Sequence, residues 1–328
     1  MAQHDHAWDG PRTSEVETPV LAVGGARRTT SIDSFRTGGR AEPVVVHARA
    51  RDAVRVDGGW RVVDEVALDI TVEGFFATLL SIEAAPAGVD LGPLVGESLR
   101  GGLRRRLTEL VPEHVERRSA LHTLLDDLPG AMLVAGYGAM RADPEPLEMA
   151  DDHIDMQADQ CAGWAEDGIM VTLLRRSNRM PVSYGAEAPV LAAPDHDPAA
   201  WHALEPLQPH SMRRRRRLDV GPDLRTEAFF RDSHVDGEGF ESALHEYTVD
   251  VALDLDAGVA TSSVARAGAL PWRDCPGALA SAGRIVGWPL DELRARVRAE
   301  FRGTSTCTHL NDTLRTLADV PAVAALVG

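Results

Sequence analysis

The sequence predicts an α+β protein built from two related units, each an antiparallel sheet packed on helices. Runs that alternate between apolar and polar residues, typical of half-buried strands, occur in both halves of the chain. Each half also contains an Asp-Gly pair beside such runs, Asp57-Gly58 and Asp236-Gly237, and this pair favours a β-hairpin. Leucines and valines at helical spacing follow the strands in each half, which indicates amphipathic helices.

The N-terminal unit is predicted to span residues 27–141, after a flexible tail formed by residues 1–26. Turn residues without periodicity predict the tail. Valines at 44–46 and 54–56 predict two short strands, and alternation over 62–72 predicts a longer one.

Two helices are expected to complete this unit. Leucines at helical spacing between residues 99 and 110, with arginines on the opposite face, predict the first, and residues 119–125 predict the second. Pro129 and Gly130 are expected to end the second helix, because proline interrupts the hydrogen-bond ladder. The apolar stretch 132–138 is then predicted to form a buried strand or a strand and turn.

The rest of the chain is divided into an irregular connector, residues 142–211, and a C-terminal unit, residues 212–328. The connector is rich in proline and is expected to hold only short elements. In the C-terminal unit, the alternation over 244–255 predicts a strand. Helices are predicted over 276–286, 291–301 and 308–317.

Short motifs recur in the same order in the two units, which suggests internal duplication. Arg27-Arg28 matches Arg213-Arg214, and Val95-Gly96 matches Val286-Gly287. His122 falls opposite His309. Each match is weak by itself, and a common hairpin-then-helix pattern is the competing explanation.

The net charge and the lack of lysine argue against two classes of function. The net charge is -16, which argues against general nucleic-acid binding. The chain has no lysine, which excludes Schiff-base catalysis by that residue. The five consecutive arginines 213–217 are predicted to open a strand, with alternate side chains on opposite faces, some solvated and others paired with acids.

The remaining composition predicts a cytoplasmic protein. Three cysteines, Cys161, Cys275 and Cys307, do not suggest a disulfide framework. No leader pattern and no apolar run long enough for a membrane span is found. No membrane or nucleic-acid partner is therefore expected. A small-molecule ligand is expected, and a homo-oligomer is left open.

Four strings in the C-terminal third carry a resemblance to a known family. They occupy residues 230–234, 244–247, 270–276 and 307–312, the last reading Cys-Thr-His-Leu-Asn-Asp. On these strings, residues 212–320 resemble the domain of unknown function 2889 family. Weaker likeness extends to 27–33, 124–130 and 161–164. This family name implies a grouping but no activity.

A more distant resemblance is to the NifU-type iron–sulfur scaffold, in which cysteines and an aspartate lie where a small sheet meets helices. Here Asp236 follows a strand, and Cys275 and Cys307 open predicted helices. His234 stands near the position where that pattern has a cysteine. The resemblance therefore serves as an indication of fold only.

Cys307 and His309, at a predicted helix start, are the first candidates for chemistry. A thiol at a helix N-terminus has a lowered pKa, and a nearby histidine can act as a base or a metal ligand. Cys275 with Cys307 and either His309 or His234 would offer soft ligands suited to zinc, although the spacing matches no zinc signature. The alternative is that both cysteines are small buried core residues.

Two groups of acidic residues and histidines are further candidates. Asp126 and Asp127, after His122, could serve as acid/base groups or bind a cation. A buried arginine would be the alternative partner, and only one of the two carboxylates is expected to face inward. His234 lies between Asp232 and Asp236 on one face of a predicted strand, where the acids would raise its pKa. His245 and Glu246, which point to opposite faces of the next strand, belong to the same candidate group. Solvent exposure is the alternative.

Cys161 and Trp164 in the connector, together with His122 and Asn311, are candidates for binding a substrate between the units. The chain lacks a glycine-rich phosphate loop, a nucleophile elbow and a zincin helix, so no nucleotide-based cofactor is expected and the cofactor is otherwise unknown.

Two functions therefore remain. The first is an enzyme that acts on a small, partly apolar molecule by acid/base chemistry of the lyase, isomerase or hydrolase type. The second is a metal or iron–sulfur module that uses Cys275, Cys307 and His309.

Overall fold

The computed structural model describes residues 9–15, 17–36, 38–39, 42–73, 77–143, 145, 147–191 and 197–327. Residues 1–8, which belong to the predicted tail, lie outside this set. The segments 9–15 and 17–25, assigned to the same tail, are hydrogen-bonded to the rest of the protein. Arg12 donates to the carbonyls of Tyr184 and Gly185, and the Glu15 amide donates to Glu246.

One antiparallel sheet of nine strands forms the centre of the described structure. Its order is β4-β3-β2-β1-β6-β7-β8-β5, and β9 also pairs with β8. The strands are β1 (Ala26–Arg36), β2 (Val44–Val56), β3 (Gly59–Val72), β4 (Leu79–Ala85), β5 (Ala186–Glu187), β6 (Met212–Val220), β7 (Thr226–Val235), β8 (Glu241–Asp254) and β9 (Val259–Ala267).

Eight α-helices are found in the described residues, with short 3₁₀ segments between them. The α-helices are α1 (Leu103–Leu110), α2 (Pro112–Arg117), α3 (Ala120–Ala142), α4 (Asp151–Gln157), α5 (Ile169–Ser177), α6 (Leu293–Glu300), α7 (Thr308–Thr316) and α8 (Val320–Ala324). The predicted α+β class and antiparallel pairing are confirmed. The stretch predicted as a helix over 276–286 is a 3₁₀ helix, Cys275–Ile285. None of the helices in the described part is long and apolar enough to cross a membrane.

The two units join edge to edge in one sheet. β1 pairs antiparallel with β6 in a register that places Thr30 opposite Arg216. On each side of this pair the next three strands follow as a meander. We call the junction of β1 and β6 the seam. Two apolar cores lie beside it, one built mainly from residues 32–131 and the other mainly from residues 218–323. The shared strand order is consistent with duplication, but common origin stays a prediction.

Helix α3 runs through the Pro129-Gly130 pair, so the predicted helix end and the predicted strand over 132–138 are wrong. Its first turn is capped by Ser119, whose side chain accepts from the His122 amide. The helix packs on β1, β2, β3, β6 and β7. A proline inside a free helix costs about 3 kcal/mol, because its hydrogen bond is missing. Burial of α3 along the seam offsets this cost.

Gly130 serves close packing at this point of α3. A Cβ atom at Gly130 would lie 2.4 Å from Nη1 of Arg214 and 2.6 Å from Oδ2 of Asp312. We expect Gly130→Ala to lower the free energy of unfolding by about 1–3 kcal/mol, because both side chains are held by other ion pairs. Urea denaturation of Gly136→Ala is the matched control, since a Cβ there meets nothing within 4 Å. Equal stability of the two variants would contradict this packing role.

Candidate functional site

All five arginines of β6 are buried, which corrects the expectation that some would be solvated. Arg213, Arg215 and Arg217 face the sheet side opposite α3 and pair with acids there. Arg214 and Arg216 face α3, and both bind Asp127. The arginine side chains therefore alternate between the two faces of the sheet, as predicted. On each face they pair with carboxylates that lie on that side.

A connected network of ion pairs lies between the sheet and the helices at the seam. Its arginines are Arg28, Arg104, Arg214, Arg216, Arg294 and Arg315. Its acids are Asp52, Asp126, Asp127, Asp232, Asp312 and Asp319. Six positive and six negative side chains make the network formally neutral, and its members couple α1, α3, α6 and α7 to the four strands β1, β2, β6 and β7.

Asp126 and Asp127 are both buried in the middle of α3, and neither is at a helix end. Asp126 accepts from Arg104 at 2.8 Å and Arg315 at 2.6 Å, and it also pairs with Arg294. Burial alone would raise the pKa of Asp126, but these three guanidinium groups hold it well below its usual range. The alternative of a buried arginine partner is thus realised for both residues. A catalytic role for either stays a prediction.

A cavity of about 360 Å³ opens where α3, the connector, β8 and α7 meet. Cys161, Trp164, His245 and His309 all line it. Asp126 and Asp127, which were expected at the same site, do not. Much of the remaining wall is apolar and contains four methionines. These residues include Tyr137, Met140, Met149, Met170, Met180, Leu244 and Trp272. We call this space the methionine cavity.

Two imidazole rings form the polar end of the methionine cavity, and the buried carboxylate of Asp232 lies beside them. The rings of His245 and His309 stack with centroids 3.6 Å apart and planes at 17°. Oδ2 of Asp232 lies 3.9 Å from Nδ1 of His245 and 3.7 Å from Nε2 of His309. Arg214 holds Asp232 from behind through two hydrogen bonds of 2.8 and 2.9 Å.

The environment keeps both imidazoles neutral. Burial, followed by the charges of Arg214 and Arg216, lowers the pKa of His309 to about 3. Burial and the neighbouring His309 lower the pKa of His245 well below its ordinary value. Nδ1 of His245 and Nε2 of His309 are buried without a hydrogen-bond partner among the described residues. Neutral rings are the form that accepts a proton or binds a metal.

The three cysteines are buried, and their thiols are not activated. Cys307 is the N-cap of α7, yet burial raises the pKa of its thiol, whereas the expected helix effect would lower it. Burial also raises the pKa of Cys161 to about 12 and that of Cys275 well above its ordinary value. Among the described residues, the single metal-like group of three ligand atoms within 4.8 Å is Asp232, His245 and His309. The proposed set of Cys275, Cys307 and His309 is not brought that close.

The other predicted site residues do not line the methionine cavity. His234 packs against Tyr137, with ring centroids 5.3 Å apart, and burial and Arg141 lower its pKa to about 4, opposite to the expected rise. His122 lies in the ion-pair network, where burial and Arg294 lower its pKa to about 4. Asn311 lines a second cavity.

Sequence reasoning grouped His245 with Asp232 and His234 but did not select it as a site residue, and it did not single out the methionines. A β-bulge between Asp232 and Ser233 sets the register that pairs Asp232 with His245, and no sequence signal marks such a bulge. The methionines are scattered over α3, α5 and the connector, so only the fold brings them together.

Comparison with known proteins finds one family model that matches part of the chain. Residues 212–323 match the family described as "Protein of unknown function (DUF2889)". This match covers the C-terminal third and agrees with the resemblance found in the sequence. The DUF2889 segment supplies Asp232, His245 and His309, whereas α3 and the connector, which lie outside it, supply most of the apolar wall. No curated protein and no solved structure matches the chain, so the NifU-type resemblance gains no support.

Proposed function

We propose that the protein is an enzyme that acts on a small, partly apolar molecule by acid/base chemistry without a nucleotide cofactor. The observation that carries this proposal is the pair of stacked imidazoles at the end of an apolar cavity of about 360 Å³. Concave apolar sites with a few converging polar groups are the usual form of a small-molecule site.

The arrangement of His245 supports the role of general base. Its Nδ1 is buried beside Asp232 and the residue lines the cavity, so we assign Nε2 as the nitrogen that takes the proton. A proton taken by Nε2 creates an imidazolium whose Nδ1–H donates to Asp232. The separation of 3.9 Å is long for a hydrogen bond, and such contacts often tighten only when substrate binds.

Arg214 and His309 position this pair. The two hydrogen bonds from Arg214 fix the Asp232 carboxylate, and the stacked His309 fixes the plane of the His245 ring. Nδ1 of His309 lies 3.4 Å from Oγ1 of Thr308, on the side where Thr308 also lines the cavity. His309 is therefore the second acid/base group of the proposed mechanism.

Solvent exchange provides a test that does not need the natural substrate. The protein is incubated in D2O with a panel of small apolar carbonyl compounds and esters, and deuterium uptake and cleavage are followed by mass spectrometry. We expect His245→Gln and His309→Gln each to lower the rate by at least about 100-fold, the usual contribution of a positioned acid/base group.

The control variant is His153→Gln, because His153 is exposed on α4 and outside the cavity. Its rate should equal that of the unmodified protein. Both cavity variants should keep their melting temperatures within a few degrees. A wild-type protein that binds panel compounds but exchanges and cleaves none would end the proposal of acid/base chemistry.

A metal module is the second candidate, and the group Asp232, His245 and His309 favours it. Two features oppose it. The near-parallel rings direct their lone pairs along similar lines, so these do not converge on one ion. Arg214 already occupies both oxygens of Asp232, and its positive charge repels a cation. Elemental analysis after growth without chelators tests this candidate: stoichiometric metal that His245→Gln removes would support it over the enzyme.

A further inference from the structure

A second cavity, of about 540 Å³, lies next to the methionine cavity and has a different character. Among the described residues, five arginines and two acids, Glu73 and Asp312, line it, in a chain with a net charge of -16. Two of the five, Arg104 and Arg315, already pair with Asp126. The arginines are Arg36, Arg100, Arg104, Arg298 and Arg315. We call it the arginine cavity.

Two of these arginines have donor groups that are not bound to an acid. Arg298 is exposed at its rim on α6 and has no acidic partner among the described residues. Arg315 is buried, and its Nε atom has no hydrogen-bond partner in the described part of the chain. Its Nη atoms are already bound to Asp312 and Asp126, so the guanidinium is held in place for a further contact.

The two cavities share a wall. Leu133 and Gly136 of α3 and Thr308 of α7 line both of them. Thr308 directly precedes His309, so a ligand that extends past Thr308 reaches from the arginine cavity to the imidazoles. An apolar chamber and a basic chamber on either side of one residue fit a molecule with an apolar body and one anionic group.

We propose that the arginine cavity binds the anionic group of the same molecule whose apolar body fills the methionine cavity, so that the substrate is a small amphipathic organic acid. This inference rests on the proposed function and names its substrate class. It also bears on His309, the second acid/base group. Negative charge beside Thr308 opposes the effect of Arg214 and Arg216 on His309 and raises the pKa of that imidazole, which burial and these arginines lower.

Two fluorescent probes test the inference on the full chain. Anilinonaphthalene sulfonate carries an apolar body and an anion, and its uncharged parent, phenylnaphthylamine, lacks the anion. We expect the sulfonate to bind about tenfold more tightly than the parent, as one charge-assisted hydrogen bond predicts. Arg298→Gln should remove most of this preference without changing the affinity for the parent compound. Benzoate and phenyl phosphate, used as competitors, then tell a carboxylate ligand from a phosphate.

Matched variants separate this inference from the proposed function. Arg105→Gln removes an exposed arginine of α1 outside the cavity and should leave the preference unchanged. Trp164→Ala should weaken both probes, because Trp164 lines the methionine cavity. Equal affinities for the two probes, or equal effects of Arg298→Gln and Arg105→Gln, would overturn the anion site and leave the methionine cavity intact. If Trp164→Ala leaves the affinity for both probes unchanged, the methionine cavity is not the apolar binding site.

Discussion

Asp126→Asn is expected to lower the free energy of unfolding by about 3–5 kcal/mol, the cost of breaking a buried ion pair. The Asp126 carboxylate forms ion pairs with Arg104, Arg294 and Arg315. Its loss leaves one uncompensated positive charge in a network that is otherwise neutral. Urea denaturation followed by circular dichroism measures this change. The urea concentration at the unfolding midpoint should fall, while the dependence of the unfolding free energy on urea concentration stays constant.

Two companion variants show whether charge is the cause. Asp69→Asn removes a carboxylate whose side chain is 58% exposed beside His47, and it should cost no more than about 0.5 kcal/mol. Arg104→Gln in the Asp126→Asn background restores the charge balance and should recover part of the loss. If Asp126→Asn is as harmless as Asp69→Asn, the network does not support the seam.

Stability is expected to fall steeply as the pH drops below about 6.5, the ordinary pKa of histidine. Burial lowers the pKa of His122 and His234 to about 4 and that of His202 and His309 to about 3. Because the folded pKa is depressed, each contribution is fully present above the unfolded pKa and is lost as the pH falls through the folded value. The loss therefore extends from about pH 6.5 towards pH 3.

Each proton taken up on unfolding contributes a slope of about 1.4 kcal/mol per pH unit. Several protons should therefore be bound when the protein unfolds near pH 5. His202, which contacts Thr29 and Ser31 at 2.8 Å, provides a specific check, because His202→Gln should reduce the slope by about one proton. His153→Gln, at an exposed position, should not. An unfolding free energy that stays constant between pH 7.5 and 5 would contradict the prediction.

The sequence alone determined the elements that depend on local signals. The turn at Asp57-Gly58 follows β2 directly, and Gly58 has a φ of +81°, as the hairpin signal requires. The alternation near residue 250 became β8, and the helical stripe at the C-terminus became α7. These signals come from backbone preferences and from a periodicity of apolar residues that can be counted along the chain.

Only the tertiary structure decided α3, the seam and the site. Pro129-Gly130 is a helix-breaking signal locally, but burial between the sheet and α7 outweighs it, and Gly130 makes room for Arg214. The partners of the arginine strand come from distant parts of the chain, so no local pattern could assign Asp127 to Arg216. The same holds for His245 and His309, whose stacking needs a bulge in one strand and the start of a helix far away in sequence. Ion pairs and cavities depend on distances in space, and linear spacing does not contain those distances.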